Sequence, residues 1–332
     1  MAPAKQTLAG YLDEWIAGLP TTLRPSTVDG YRRNLLYVPA WLGAKRLDRV
    51  TAADLDHLYA DLLVSGLRRR DGGLSRRSVR YLHTVLSKAL SDAVDRDLLV
   101  RNVATKAKPP KAKDTKPAEV AWWTPAELRI FLDLTTDEAL GPLFRVAAMT
   151  GMRRGEVCGL RWYDVNFDKA RIEVRQQLTV VRSPGAPNGG LLFSERTKTD
   201  RGRRRIDLDP MTIRILRSQE RRQKENRLAM GAGWSNEHDL VFSEPDGRPL
   251  DPESVAKVFD RRVARHGLRR IRFHDLRHTH CAHLIAAGEM PLVISKRLGH
   301  SSTSFTLDRY GHLFEDAGSQ AASAVAAMVD GA

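Results

Sequence analysis

Cysteine is scarce in this chain: Cys158 and Cys281 are the only two among 332 residues. Each falls in a helical-looking segment, so there is no disulfide framework and both read as small core residues of a reducing compartment. Long apolar runs are missing too. No stretch approaches the roughly 18 residues that a membrane span needs, and the start, MAPAKQTLAGYLDEW, lacks the apolar core of a signal peptide. A cytoplasmic location is expected. Acidic residues are in deficit: 40 Asp and Glu face 54 Lys and Arg, a formal charge of +14. Such an excess points to nucleic acid or an anionic membrane surface, the plainer alternative being a merely soluble basic protein.

At 332 residues the chain exceeds the roughly 250–300 at which one hydrophobic core stops growing, so two domains are expected, and 42% apolar content fills two cores. The first, over residues 5–104, reads as helical throughout. Tyr11, Trp15 and Ile16 form a stripe on a first helix. A second begins near Ser26 and carries Tyr31, Leu35, Leu36 and Trp41 before Gly43 stops it. Thr51 is an N-cap for a third that ends at Gly66, and Ser75 or Ser78 opens a fourth with Val79, Leu82, Leu86 and Leu90 at helical spacing. A compact four-helix domain results. Arg68, Arg69, Arg70, Arg76, Arg77 and Arg80 cluster between its last two helices, either as a phosphate-contacting edge or as a solvated charged loop.

Residues 105–120, TKAKPPKAKDTKPAEV, hold nothing that builds a core and read as a basic, extended linker. Residues 121–332 form the second domain. It opens with a capping box, Thr124 to Glu127, and a helix from about Ala139 stops at Thr150-Gly151, followed by a short one carrying Arg153, Arg154 and Glu156. The period then shortens: Ile172, Val174, Leu178 and Val180, then Arg205 to Leu208, predict a small antiparallel sheet inserted among helices. A charged helix over Met211–Leu228, a short strand at Leu240–Phe242 and a helix over Glu253–Arg265 follow. The segment 181–192, with its prolines and glycines, reads as a loop insertion, and Ala321–Met328 as a small apolar tail helix whose face has no partner in its own domain.

Reactive groups concentrate between Arg272 and Tyr310. His274-Asp-Leu-Arg-His278 allows two chemistries. As a variant of the zinc hydrolase pattern it sets two histidines one turn apart, with Asp275 as base. As a phosphate site it sets His274 and Arg277 on one helix face. Zinc fits poorly: Asp replaces the longer Glu, a permanent cation lies beside the metal face, and no third ligand stands out. Phosphate fits better, because Arg153 follows a Gly-terminated helix, Lys198 sits in a T-K-T turn, and His300 and Tyr310 complete an anion-binding, proton-transferring set with no carboxylate cluster for Mg²⁺.

The motifs TGMRRGE, RTKT, HDLRHTH, RLGHSS and TLDRYGH, in that order, closely resemble those of the tyrosine recombinases, the phage-integrase family of site-specific DNA recombinases. The resemblance spans both domains. It implies a mainly α fold with a small antiparallel sheet in the C-terminal domain, made of a helical, SAM-like core-binding domain and a catalytic domain with a C-terminal tail helix. Carried over position by position, it implies that Arg153 and Arg277 clamp the scissile phosphate, Lys198 protonates the leaving 5′ oxygen, His274 assists proton transfer, His300 bonds a non-bridging oxygen and Tyr310 attacks to form a 3′-phosphotyrosyl link, with no metal, cofactor or ATP. Arg76, Arg77 and Arg80 are implied DNA contacts. His278, His280 and His283 read as packing groups, His312 as lying just beyond the site, and Glu156 as a group that holds an arginine.

The resemblance also implies the partners: double-stranded attachment sites, a homotetramer acting on two duplexes, and accessory directionality or DNA-bending factors, in integration or excision of a phage or mobile element. The setting is then the bacterial cytoplasm and nucleoid, or host cytoplasm for a phage protein. The arm-binding domain that many phage integrases carry has no counterpart ahead of the first helix, so a two-domain or trimmed recombinase is expected.

Overall fold

The computed structural model describes residues 6–19, 23–66, 71–111, 121–182, 190–195, 203–300, 302–311 and 326–329. It divides into two compact units, Met1–Ala118 with Val181–Pro184, and Glu119–Val180 with Gly185–Ala332. Among the described residues no helix is long and apolar enough to cross a membrane.

The first unit is helical: α1 (Leu8–Gly18), α2 (Pro25–Leu35), α3 (Ala40–Gly43), α4 (Ala52–Ser65) and α5 (Arg76–Asp95). Its ends follow local chemistry. Thr51 and Asp54 close a reciprocal capping box on α4, and the Ser75 hydroxyl accepts from Ser78 N at the start of α5. The helix expected to run from Ser26 through Trp41 is two helices, because the extended backbone at Pro39 cannot continue α2 and instead precedes α3. On α5, Val79, Leu82, Val85, Leu86, Ala89, Leu90 and Ala93 are all buried against Tyr11, Trp15 and Tyr59. The polar ends of the rings are satisfied: Tyr11 donates to the Ala89 carbonyl at 2.6 Å and Trp15 Nε1 to Asp92 at 2.7 Å. Arg76 and Arg77 stand exposed on the first turn of α5, whereas Arg80 turns back and donates to the Pro110 carbonyl at 3.0 Å. Arg68, Arg69 and Arg70 lie outside the described residues, as does 112–120 of the expected linker.

The second unit holds α6 (Pro125–Leu134), α7 (Gly141–Thr150), α8 (Arg154–Cys158), β1 (Val165–Asn166), β2 (Arg171–Val174), β3 (Gln176–Val180), β4 (Leu191–Glu195), β5 (Arg204–Asp207), α9 (Pro210–Met230), α10 (Pro252–Arg265), α11 (Asp275–Ala286), α12 (Pro291–Leu298) and α13 (Thr303–Tyr310). Its core is aromatic. Phe131, Phe144 and Phe273 each pack on Phe259, at centroid separations of 5.1, 5.7 and 5.6 Å, with Trp123 alongside. Emptying one such ring position costs on the order of 3–5 kcal/mol.

Among the described residues, the single sheet expected from the strand pattern is two antiparallel ones, β1-β2-β5 and β3-β4. The break falls at Arg175, because Gln176 turns to bond the Gly159 carbonyl at 2.8 Å and draws β3 against α8. Two glycines of that turn permit the approach. A Cβ on Gly155 would stand 2.5 Å from the Leu178 carbonyl oxygen, and one on Gly159 2.9 Å from the Leu178 nitrogen. The strand expected at Leu240–Phe242 is absent; Leu240 makes only an isolated bridge to Arg161. Its apolar residues are buried by α9, where Gln219 and Gln223 cap the Val241 and Leu240 carbonyls instead of a ladder partner. Of the loop 181–192 and the tail from Ala321, most residues lie outside those described.

Candidate active site

Two helices of the second unit end on glycines that only a left-handed backbone allows, Gly151 after α7 (φ 64°) and Gly299 after α12 (φ 67°). A side chain is strained at either by the positive φ, and it also meets neighbours: a Cβ at Gly151 would stand 2.5 Å from Leu298 Cδ2, and one at Gly299 3.1 Å from Arg204 Cδ. The two helix C-termini therefore meet, and each turns the negative end of its dipole toward the same place.

Guanidinium groups occupy it. Arg277, on α11, donates to the Gly151 carbonyl through Nη1 and to the Leu298 carbonyl through Nη2, both at 2.7 Å. Arg153, which precedes α8, donates through Nη2 to the Gly299 carbonyl and through Nη1 to Glu156, both at 2.9 Å. A third was not foreseen. Arg204, at the start of β5, grips the other side of Glu156 at 2.7 Å and bonds the Arg297 carbonyl at 2.7 Å.

Glu156 is fully buried and Arg204 is 5% exposed in its side chain, while Arg153 keeps 31%. One carboxylate thus holds two arginines in place, as expected of Glu156, with Arg277 a further cation beside them. The surplus of positive charge is what a phosphodiester would complete. T-K-T had singled out Lys198 from the surrounding arginines, and nothing local marks Arg204. Its partner lies 48 positions away in sequence.

Replacing Arg204 by methionine is expected to cost on the order of 3 kcal/mol in denaturant unfolding, because it leaves a buried carboxylate with one partner fewer. Arg205→Met, on the exposed face of the same strand, is expected to cost under about 0.5 kcal/mol. Equal losses for the two variants would remove Arg204 from the network.

The positive field is visible in the histidines. Burial and the Arg277, Arg153 and Arg204 guanidinium groups, with His278, push the His300 pKa down to about 3, so its imidazole is neutral. His274, which stands exposed at the start of α11, is lowered too, by the protein packed around its ring and then by Arg277. Arg277 itself is pushed down to about 9 by burial and by Arg153 and Arg204. Each shift has the direction that a bound anion would relieve.

Tyr310 ends α13 with its ring in a small core of Cys281, Ile285, Ile294 and Leu298, 2% exposed. Its hydroxyl is hydrogen-bonded to His278 Nδ1. His278, expected to be a packing group, is thus the nucleophile candidate's direct partner, and its ring stands edge-on to His274 at 5.2 Å between centroids. Spacing on the helix carried a signal for this: positions 274 and 278 are one turn apart and share the face that Arg277 borders. His280 and His283 do pack, His280 accepting from Arg297 Nε at 3.1 Å and His283 meeting the Trp123 carbonyl at 3.0 Å. Cys281 is buried, and burial raises its thiol to about 12.

The structure therefore brings together Arg153, His274, Arg277, His300 and Tyr310 of the expected set, and adds His278, Glu156 and Arg204. Lys198, in the segment between β4 and β5, and His312 lie outside the described residues. Among the described residues no group of three or more His, Cys, Asp and Glu is arranged to hold a metal ion.

Comparison with known proteins gives a consistent result. A family model described as "Phage integrase family" matches residues 131–316. A tyrosine recombinase XerC-like protein of Caldanaerobacter subterraneus is 27% identical over 92% of this chain and 79% of its own length. The ICEBs1 integrase of Bacillus subtilis is 31% identical over 73% of this chain and 63% of its own length. Among solved structures, the Tn1549 transposon integrase in complex with a circular intermediate DNA aligns over 92% of this chain and 95% of that one, with a TM-score of 0.71 and 21% identity. A lambda integrase tetramer bound to a Holliday junction aligns over 90% of this chain and 77% of that one, at a TM-score of 0.62 and 17% identity. Both structural likenesses are of fold.

Proposed function

The chain belongs to the phage integrase family, enzymes of site-specific DNA strand breakage and rejoining, and from that premise we propose that Tyr310 carries the reaction through a 3′-phosphotyrosyl intermediate. One observation supports this reading above the rest: a tyrosine hydroxyl, two arginines anchored to meeting helix ends, and neutral histidines converge around an unbalanced positive charge.

In this reading Arg153 and Arg277 receive the scissile phosphate. Each guanidinium has five N–H groups, and the helix-end carbonyls and Glu156 engage two of them on each, which fixes the planes and leaves donors for phosphate oxygens. Charge building on the non-bridging oxygens as Tyr310 attacks is met by fixed donors that need no reorganisation. His300, held neutral, donates one further hydrogen bond to such an oxygen. His274, at the rim, assists proton transfer on the substrate side, and Lys198 protonates the leaving 5′ oxygen. Because the phosphotyrosine retains the energy of the broken diester, attack by a 5′ hydroxyl reseals the strand without ATP.

The helical first unit serves in this proposal as the core-type DNA-binding domain, with Arg76 and Arg77 facing the backbone, and four copies act on two duplexes during integration or excision of a mobile element. The integrases of ICEBs1 and Tn1549 belong to such elements by name.

The test is chemical. Sheared genomic DNA of the source organism is incubated with the protein and stopped with detergent, and the DNA that stays with denatured protein is sequenced and protease-mapped. The expected result is one recurrent sequence, joined through its 3′ phosphate to the peptide that contains Tyr310. A linkage to any other residue, or salt-sensitive binding with no linkage at all, overturns the proposal, the latter in favour of a DNA-binding factor without catalysis.

A further inference from the structure

Tyrosine is a poor nucleophile while it keeps its proton, since its unperturbed pKa is near 10. Nearby guanidinium groups favour the anion but do not remove the proton; a base must accept it. The residues around Tyr310 Oη allow a choice among the candidates. Cys281 touches the hydroxyl, but its burial-raised thiol is itself protonated and offers no basic pair. His300 is packed among the arginines, whose charge lowers its basicity, and His274 is exposed at the start of α11. His278 is in contact: its Nδ1 faces Oη directly, and both groups are buried.

We propose that His278 is the base that takes the Tyr310 proton, a role distinct from that of His274. The inference rests on Tyr310 being the nucleophile. In the neutral tautomer that carries its hydrogen on Nε2, His278 presents the Nδ1 lone pair to the phenol, which donates to it. As Oη bonds to phosphorus, its proton moves to Nδ1 and gives an imidazolium, while the P–O5′ bond breaks and the 5′ oxygen takes a proton from the general acid. On resealing, the 5′ hydroxyl attacks and gives its proton back to the general acid's conjugate base, the Oη–P bond breaks and Nδ1 returns the proton to Oη. No proton is gained or lost over the cycle, and no co-reactant is needed.

The placement suits reversible work. His278 shares α11 with Arg277, so base and clamp are held by one rigid element, and Leu276 and Thr279 on the same turn are buried. Charged and titratable groups face it from several elements: His274, Asp275 and Arg277 on or just before α11, Tyr310 on α13 and His300 from the turn after α12. The phosphodiester brings the negative charge that stabilises the imidazolium after attack.

The test uses the full chain and a nicked duplex that traps the covalent adduct, built on the site recovered above, with single-turnover rates measured between about pH 5 and 9. For the wild type, the rate is expected to rise with pH as one group loses its proton. In His278→Ala and His278→Asn that limb is expected to vanish and the rate near pH 7.5 to fall about 10²- to 10⁴-fold. Added imidazole should restore part of the rate to His278→Ala, and unchanged DNA binding by His278→Asn shows that the fold survives. A duplex with sulfur in place of the leaving 5′ oxygen removes the need for a general acid. Lys198→Ala should recover on it, whereas the His278 variants should not. Wild-type rates and an unchanged pH profile in both His278 variants overturn this assignment, and a faster reaction does so too, by making His278 a restraint on the tyrosine. Either can occur while Tyr310→Phe forms no adduct, so the base can fail with the nucleophile intact; an adduct formed by Tyr310→Phe fails the underlying reading instead.

Discussion

Tyr310→Phe is expected to abolish adduct formation on nicked DNA altogether while DNA binding persists. The substitution removes one oxygen and leaves the ring, which fills the pocket of Cys281, Ile285, Ile294 and Leu298. Packing is therefore kept, and the structural cost is the hydroxyl's contacts with His278 and the Cys281 thiol, about 1 kcal/mol net for the His278 bond, with up to about 3 if the buried imidazole finds no other partner. DNA affinity rests on phosphate contacts spread over many cations in a chain of formal charge +14, none of which the change touches. Chemistry rests on a single atom that no neighbour replaces, since Cys281 is protonated and buried. Single-turnover trapping beside a gel-shift titration separates the two. Adduct formed at a measurable rate by the phenylalanine variant would place the nucleophile elsewhere.

Much of this site was written locally in the sequence. The capping box of Thr124 with Glu127 and the N-cap at Thr51 need only a few residues to form, and they appear as expected, with Asp54 completing a box at Thr51. Gly151 and Gly299 end α7 and α12 in left-handed turns for the same reason, so the motifs around Arg153 and His300 could be set at helix ends before any tertiary contact was known. What stayed hidden depends on which distant segments meet. Arg204 sits in a run of three arginines of identical local character, and only the approach of β5 to α8 turns it inward onto Glu156 while Arg205 faces out to Glu173. His278 looked like a packing group until α13 folded back over α11 and brought Tyr310 to it. The split of the sheet at Arg175 has the same origin, since Gly155 and Gly159 read as small residues of a turn until β3 lies against them. Pro39 is the contrasting case: a local breaker that the hydrophobic period of Tyr31, Leu35 and Trp41 masked.

Arg277→Lys is expected to keep the charge and lose the reaction, with adduct formation slowed about 10³- to 10⁵-fold, the range found when an arginine that stabilises phosphoryl transfer is removed. Arg277 spans two helix ends, Gly151 on one side and Leu298 on the other, and a single ammonium cannot reach both carbonyls and a phosphate oxygen. The lysine would settle on one helix end, and the convergence of α7 and α12 would lose its link. Arg153→Lys is expected to be milder. Arg153 is partly exposed, its Glu156 partner is also held by Arg204, and Gly299 is the only helix end it ties. The direction of the Arg277 pKa is in keeping with a large effect there: burial beside Arg153 and Arg204 lowers it to about 9, so the site holds it under electrostatic strain before an anion arrives. A bound phosphodiester relieves that strain, and part of the relief is available as the charge on the phosphate grows during attack. Parallel single-turnover rates for the two lysine variants, with salt-dependent binding on the same preparations, check the ranking. Equal losses for Arg153→Lys and Arg277→Lys would show that the two arginines act on the phosphate alone and that the helix-end anchors contribute nothing to the rate.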